Sequence, residues 1–463
     1  MKRLLYCILL VMASAGWVLA EEAPERHSME EFVRRATAND PYFQVILADE
    51  LYLAYQKDLE LPASDIVLDV TAQYNLNLQK QANTDDNEYE GSISLSRLFP
   101  KTGTTLTAGY SAQQYTVRDE LLMRTTFNAQ VSQDIARNAF GKTTRLKEKE
   151  IEVSSRLARY QVIEAYEDYM ASLITLYMDW YASYENLKAV KEIVRYNSTL
   201  LQTIQRKRRY RVARPEDVDK MQLELESARQ DLITMNDRYM RNSIRVYSAA
   251  GIDENDKVVP EKPADLSYEG DTLEKPGIPE SSRTMLMMKL LERKGVLAKD
   301  MAKDNLLPSA QLFAGYRRYG TDYTMNDPQY RVYGGISSSV NFGRQQQKAA
   351  SKTAKIDLYK TRMQNNSSMI TFKSDIDALK REINREKELI EVTDRKLELV
   401  ERVLRAERQN YLIGKTSLND LIMHMNNAAQ IRYDAIYHRV LYRQLVVEWK
   451  RLTDVLVSKS DLQ

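Results

Sequence analysis

The chain has 463 residues, beyond the ~100–200 of one ordinary compact domain, and carries 67 Lys+Arg, 65 Asp+Glu and a single cysteine, Cys7. That balance gives no global argument for nucleic acid, and a lone cysteine so near the N-terminus leaves the rest of the chain without disulfide or thiol chemistry. Beyond residue 20 no segment reaches the ~18 consecutive apolar residues of a transmembrane helix, so any passage through a membrane must be made by strands.

Residues 1–20 read as a secretory signal peptide. Lys2 and Arg3 form a positive start, Leu4 to Met12 an apolar core, and Val18-Leu19-Ala20 a small-residue cleavage site before Glu21. Cys7 lacks the small-residue context of a lipoprotein site. Loss of this segment removes two positive charges and leaves 65 of each sign.

Glycine and proline, the strongest local breakers, are segregated along the remainder. Residues 142–214 contain neither; Pro215 follows, then nothing until Gly251. Residues 344–413 contain neither; Gly414 follows, then none to the end. These deserts read as helices. In the first, Tyr166, Tyr169, Met170, Leu173, Tyr177, Trp180, Tyr181, Tyr184 and Leu187 repeat at the spacing of one helical face. In the second, Leu397, Val400, Leu404 and Tyr411 keep a three-and-four rhythm. A helix of roughly 70 residues extends roughly 105 Å, so it must lie along partner helices as in bundles and coiled coils.

The Gly/Pro-bearing stretches read as strands. Val70, Ala72, Tyr74, Leu76 and Leu78 alternate with Thr71, Gln73, Asn75, Asn77 and Gln79. Leu106, Ala108, Tyr110 and Ala112, then Phe127, Ala129 and Val131, repeat the pattern, with looser versions at 309–317 and 330–342. Alternating segments of about ten residues rich in tyrosine fit transmembrane barrel strands. They also fit a soluble sheet with one wet face; the signal peptide and the missing apolar helix favour the barrel. Polar members such as Asp69, Gln73, Asn75 and Asn77 are candidates for a lumen.

The chain repeats itself. DLELPASDIVLDVTAQYN (58–75) resembles DNLLPSAQLFAGYRRYG (304–320), and Phe140-Gly141-Lys142 returns as Phe342-Gly343-Arg344. Tyr210-x-x-Ala213 with Asp219 and Ala228 returns as Tyr411-x-x-Gly414 with Asp420 and Ala429. The first repeat spans 28–250, with a helix near 28–60, strands over about 67–134, a long helix over about 142–212 and a return helix over about 216–250. A linker covers 251–279. The second repeat spans 280–463, with a helix near 281–305, strands over about 309–342, a long helix over about 344–413 and a return helix over about 416–457. The first strand region is 44 residues longer and holds an extra hairpin around LSRLFPKTGTTLTAGY.

This layout resembles the TolC family of outer-membrane efflux channels over nearly the whole chain beyond residue 20. The residues that carry it are the entry segment SMEEFVRRATANDPYF, Leu306-Leu307-Pro308 before a strand, and the turn pattern Tyr411, Gly414, Asp420. The first repeat has Tyr210 and Asp219, but Ala213 replaces the glycine. The resemblance implies a mainly α fold with a transmembrane β-barrel portion, a TolC-like trimeric α-barrel and β-barrel built from two internal structural repeats. It implies the exit duct of a tripartite efflux or type I secretion system, passive and gated at the periplasmic helix tips. Implied partners are two further copies, outer-membrane lipid, a periplasmic adaptor and, through it, an inner-membrane pump. By position, gating falls to Asp219, Tyr411, Asp420 and Lys415, the last beside Thr416, which occupies the family's basic position; Arg214 could serve instead. If all six strand candidates enter the barrel, three copies supply 18 strands, and otherwise 12.

The run QRKRRYRVARPED (205–217) is the sharpest charge feature. A basic last turn followed by an acidic first turn suits two helix dipoles meeting at a turn, which is one reading. The other is an adaptor-docking or aperture-lining ring made by Arg209, Arg211, Ala213, Arg214, Pro215 and Gly414. Pro215 fits the first turn of a helix, where a missing N–H is harmless, and Gly414 fits a left-handed turn. Nucleic acid is not an expected partner of a secreted chain of balanced charge. His27, His424 and His438 show no metal spacing, and no catalytic order or cofactor motif stands out. The chain is read as neither an enzyme nor a metalloprotein, with no cofactor. A periplasmic coiled-coil adaptor or structural envelope protein without a pore is the competing reading.

Overall fold

The computed structural model describes residues 25–60, 64–75, 88–117, 120–253, 256, 258–264, 282–325, 329–340 and 342–456. The signal peptide read at 1–20, the strand positions 76–79, most of the linker and residue 457 of the expected final helix lie outside them. The chain divides into two compact units, one of residues 1–45, 165–278 and 373–463, the other of 46–164 and 279–372. Among the described residues no helix is long and apolar enough to cross a membrane.

The first unit begins with strand β1 (Glu25–His27) and helix α1 (Met29–Asn39). Ser28 caps α1 by accepting from the Glu31 N–H at 3.2 Å, and Glu30 and Glu31 occupy its first turn, where acids suit the dipole. The expected single helix over 28–60 is two. Asp40 is extended (φ −76°, ψ 117°) because Pro41 excludes the helical conformation at the residue before it, and α2 (Pro41–Glu60) starts afresh on that proline. Helix α2 passes into the second unit from residue 46, and the long helices α3 (Lys142–Arg209) and α6 (Gln345–Leu412) belong to the first unit only from residues 165 and 373, whereas their return partners α4 (Pro215–Ala250) and α7 (Leu418–Leu452) lie wholly in it.

An aromatic column fixes this unit. The rings of Phe32, Tyr177, Trp180 and Tyr247 follow one another with centroids 5.8, 5.7 and 6.3 Å apart. The buried Tyr177 hydroxyl donates towards the carbonyls of His27 (2.7 Å) and Glu261 (2.8 Å), and the Trp180 Nε1–H donates to Ser243 at 2.9 Å. The Tyr177 contacts bracket a two-stranded parallel sheet of β1 with β6 (Val258–Pro260). Sequence reading missed it, because three-residue strands carry too few alternations to register. Burial raises the Tyr177 pKa.

The second unit is built on one antiparallel sheet in the order β2 (Ile66–Asn75), β3 (Glu88–Phe99), β4 (Thr104–Val117), β5 (Glu120–Asp134), β7 (Ser309–Gly320) and β8 (Gln329–Ser339). The extra hairpin read around residues 95–110 is the β3–β4 turn, inside this sheet. Helix α5 (Arg283–Asp304) leads into β7. At the base of the sheet, Gly141 needs its glycine: its φ is +75° and a Cβ would stand 2.4 Å from the Lys101 carbonyl oxygen. Asp304, buried beside it, accepts from the Asn138 N–H (2.9 Å) and the Thr143 hydroxyl (2.5 Å) and pairs with Lys142 at 3.2 Å. Burial alone would raise its pKa, yet the Thr143 and Asn138 hydrogen bonds and Lys142 together lower it.

Candidate functional site

Two regions carry the functional expectations, and the first is the sheet. Because side chains alternate across a strand, the strand register assigns each residue to a face. Leu68 lies opposite Leu95, Val70 opposite Ile93, Tyr110 opposite Phe127, Leu106 opposite Val131, Tyr316 opposite Val332 and Leu312 opposite Ile336, all on one face. These side chains are exposed at Val332 (83 %), Ile336 (68 %) and Val70 (65 %). Arg97 and Arg318 also stand on this face, over the rings of Phe99 and Tyr330, and a bare face otherwise so largely apolar has no place in water. The opposite face is polar: Asp69 faces Ser94, Thr71 faces Ser92, Gln73 faces Glu90, Thr107 faces Gln130 and Arg317 faces Arg331. There Arg124 and Arg331 lie over the Tyr319 ring at 5.1 and 5.7 Å, and Arg317 over Tyr333 at 5.0 Å. On the apolar face, paired tyrosines (Tyr74 with Tyr89, Tyr316 with Tyr330) stand toward the end away from α3 and α6.

The second region is formed by the two helix turns. Both long helices end by reversing direction, but by different means. After α3 the left-handed residue is Arg211 (φ 58°), and α4 restarts at Pro215 with the Arg214 N–H donating to Asp217 at 3.1 Å. After α6 it is Gly414 (φ +79°), with nothing within 4 Å of the position a Cβ would occupy. Its demand for glycine is therefore conformational. Ser417 caps α7 by accepting from the Asp420 N–H at 3.2 Å, and its hydroxyl donates to the Asp420 carboxylate at 2.7 Å. Ala213 thus fills the position of Gly414 without its backbone conformation.

The turns share one apolar cluster. Leu200, Ile204, Val218, Met221, Tyr411, Leu418, Leu421 and Met425 are buried together, with Ala213 packed against them. Lys207 spans the two turns: its Nζ donates to the carbonyls of Tyr411 (3.0 Å) and Leu412 (3.1 Å) and lies 4.6 Å from the Tyr411 ring centroid. Burial, with the nearby Asp217 charge, pushes the Tyr411 pKa up to about 12.

Of the residues expected here, Tyr411 is buried and Ala213 half-buried in this cluster, so the turns bring them together. Asp219, Asp420, Lys415, Arg209, Arg211, Arg214, Pro215 and Gly414 are all exposed. Among the described residues no hydrogen bond or ion pair joins Tyr411 to either aspartate or to Lys415. Lys207 was missed because nothing within a run of six cations marks the one that turns inward. Among the described residues no group of His, Cys, Asp and Glu could hold a metal ion.

No protein-family model and no curated protein matches the chain. Solved structures do. The outer membrane protein VceC of Vibrio cholerae superposes with a TM-score of 0.69 at 11 % identity, over 92 % of this chain and 95 % of that one. The Campylobacter jejuni CmeC outer membrane channel gives 0.68 at 12 %, over 93 % and 86 %. The open state of the Neisseria gonorrhoeae MtrE outer membrane channel gives 0.66 at 11 %, over 94 % and 90 %. The chain therefore has the fold of the TolC-type outer-membrane channels.

Proposed function

We propose that three copies of this chain close into an outer-membrane exit duct, serving a tripartite efflux or type I secretion system. The sheet supplies one third of a barrel in the outer membrane, and the helices form a tunnel in the periplasm. Transport through it is passive, driven by an inner-membrane pump that engages the helix tips through a periplasmic adaptor. The observation that carries this reading is the sheet with one largely apolar bare face, one polar face and, among the described residues, two edges without a paired strand. Unpaired backbone at such edges is untenable in lipid, so the sheet must be closed by further copies.

At the tips, the exposed Arg209, Arg211 and Arg214 are the surface an adaptor meets, with Pro215 and Gly414 shaping the turns. Gating rests on Tyr411 and its neighbours. Asp219, Asp420 and Lys415, exposed in a single chain, pair across copies when the tip is shut, Asp420 keeping its bond from Ser417. A pore-free periplasmic adaptor does not account for the apolar sheet face.

Extraction behaviour tests the reading. A channel requires detergent for release from envelopes and runs as a heat-sensitive trimer, and deletion abolishes export by the inner-membrane pump it serves. Release by a salt or osmotic wash overturns it.

A further inference from the structure

The register of the sheet carries information about its own closure. One row of directly paired residues runs Ile66, Arg97, Leu106, Val131, Ala314, Gly334 across all six strands. The strands do not end level with this row. Toward the helices β2 stops on it at Ile66, β3 and β4 continue two residues beyond, to Phe99 and Thr104, and β5 three, to Asp134. Strands β7 and β8 continue five residues, to Ser309 and Ser339. The feet therefore descend by about one residue per strand. At ~3.4 Å per residue and ~4.8 Å between strands, that slope is a tilt of about 35°, within the range of closed transmembrane barrels.

We infer that the free edge of β8 pairs antiparallel with the free edge of β2 in a second copy of this chain, slid so that Arg331 opposes Asn75. This deepens the duct reading and rests on it. Continuing the descent by one further step puts the foot of the next β2 about six residues below the row. Ile66 of that copy then opposes Val340. A slide of an even number of residues is the only kind that keeps both faces intact. In this register Val70 opposes Ile336 and Tyr74 opposes Val332 on the apolar face. Asp69 opposes Ser337 and Gln73 opposes Tyr333 on the polar face.

Charge alone does not set the slide, since the unslid row would place Asp69 opposite Arg331, but the slid seam also brings a carboxylate to the arginine pair. Arg317 and Arg331 stand directly opposite each other on neighbouring strands, a like-charge pair that costs stability. Among the described residues neither has a carboxylate partner in an ion pair. Glu88 pairs with Asn75 across β2 and β3. In the proposed register it comes two strands from Arg331, about 10 Å between backbones, on the same face and within joint reach of the two side chains. The seam is heterologous, an acidic edge against a basic one, so repetition makes a ring rather than a symmetric pair. Three copies, six strands each, close eighteen strands.

Cysteine cross-linking tests the register, since Cys7 is the only cysteine in the sequence. The double variant Asp69→Cys with Ser337→Cys, oxidised in the detergent-extracted oligomer and denatured without reductant, should give covalent species up to three chains. The pair Asp69→Cys with Arg331→Cys, which lie in one row of the unslid sheet, should give at least tenfold less. Val67→Cys with Ser339→Cys is the second in-register pair should the first disturb assembly. An intact heat-sensitive oligomer that links at 69–331, or at neither in-register pair, overturns the register while leaving the duct reading standing. If the wild-type chain forms no oligomer, both fall.

Discussion

The ammonium of Lys207 donates to the main-chain carbonyl of Tyr411, 204 residues away, at 3.0 Å. It also lies against the ring of that tyrosine. A cation at the C-terminal carbonyls of a helix is favourably placed against the helix dipole. Here it belongs to the other long helix, so it holds the two turns to one another. Lys207→Met keeps the aliphatic stem and removes the charge. Charge-assisted hydrogen bonds contribute ~1.5–3 kcal/mol, and the turn-to-turn contact should weaken by about that much. Proteolysis within 205–217 should quicken and single-channel conductance should rise, with Lys207→Arg close to wild type. Unchanged protection in Lys207→Met shows that the apolar cluster alone joins the turns.

Gly414→Val places a β-branched residue at φ +79°, where nothing crowds a Cβ but the backbone itself resists. The cost should be at least ~1–2 kcal/mol, confined to the second turn. Thermal unfolding followed by circular dichroism should shift little in a chain this helical, whereas adaptor-dependent export should fall. Ala213→Gly should be nearly silent, because the first turn takes its left-handed step at Arg211 instead. Equal damage from both substitutions contradicts this assignment.

Much of the architecture was readable before any coordinates. Residues 142–214 and 344–413 lack glycine and proline, and the long helices α3 and α6 lie within those limits. The alternation Val70, Ala72, Tyr74 is the apolar face of β2. What could not be read was set by tertiary placement. Pro41 was visible, but whether it would begin, kink or break a helix depended on Asp40 turning extended. Lys207 is one of six cations in its run, and only the packing of α3 against the α6 turn distinguishes it. Likewise Ala213 aligns with Gly414, yet the left-handed residue moved two positions to Arg211. Sequence spacing fixes which face a residue is on, not which side chain a neighbouring helix will cover.

The apolar face of the sheet makes a directional prediction. Ile93→Lys and Val70→Lys put a charge on that face, whereas Ser92→Lys and Thr71→Lys, one residue away, put it on the polar face. In lipid the first pair should each cost about 2–4 kcal/mol and deplete the proposed heat-sensitive trimer, while the second pair should assemble normally. Equal tolerance of both pairs means that the sheet does not face lipid.

Alkaline pH should loosen the helical unit before the pH at which its tyrosines ionise in place. Burial pushes the pKa of Tyr411, Tyr239 and Tyr433 up to about 12, from an ordinary value of 10.0. Neighbouring acids add to it at Tyr411 (Asp217) and Tyr433 (Asp231). The folded state therefore holds its phenolic protons where the unfolded chain has begun to lose them, so stability falls as pH rises. The contribution of these groups is fully present below pH 10 and is lost progressively toward pH 12. Denaturant midpoints of the detergent-solubilised protein should be flat from pH 8 to 9.5 and decline above 10. Tyr411→Phe removes one ionisable group while keeping the ring under Lys207, and should make that decline shallower. A decline of the same slope in Tyr411→Phe shows that Tyr411 is accessible to solvent in the assembled protein.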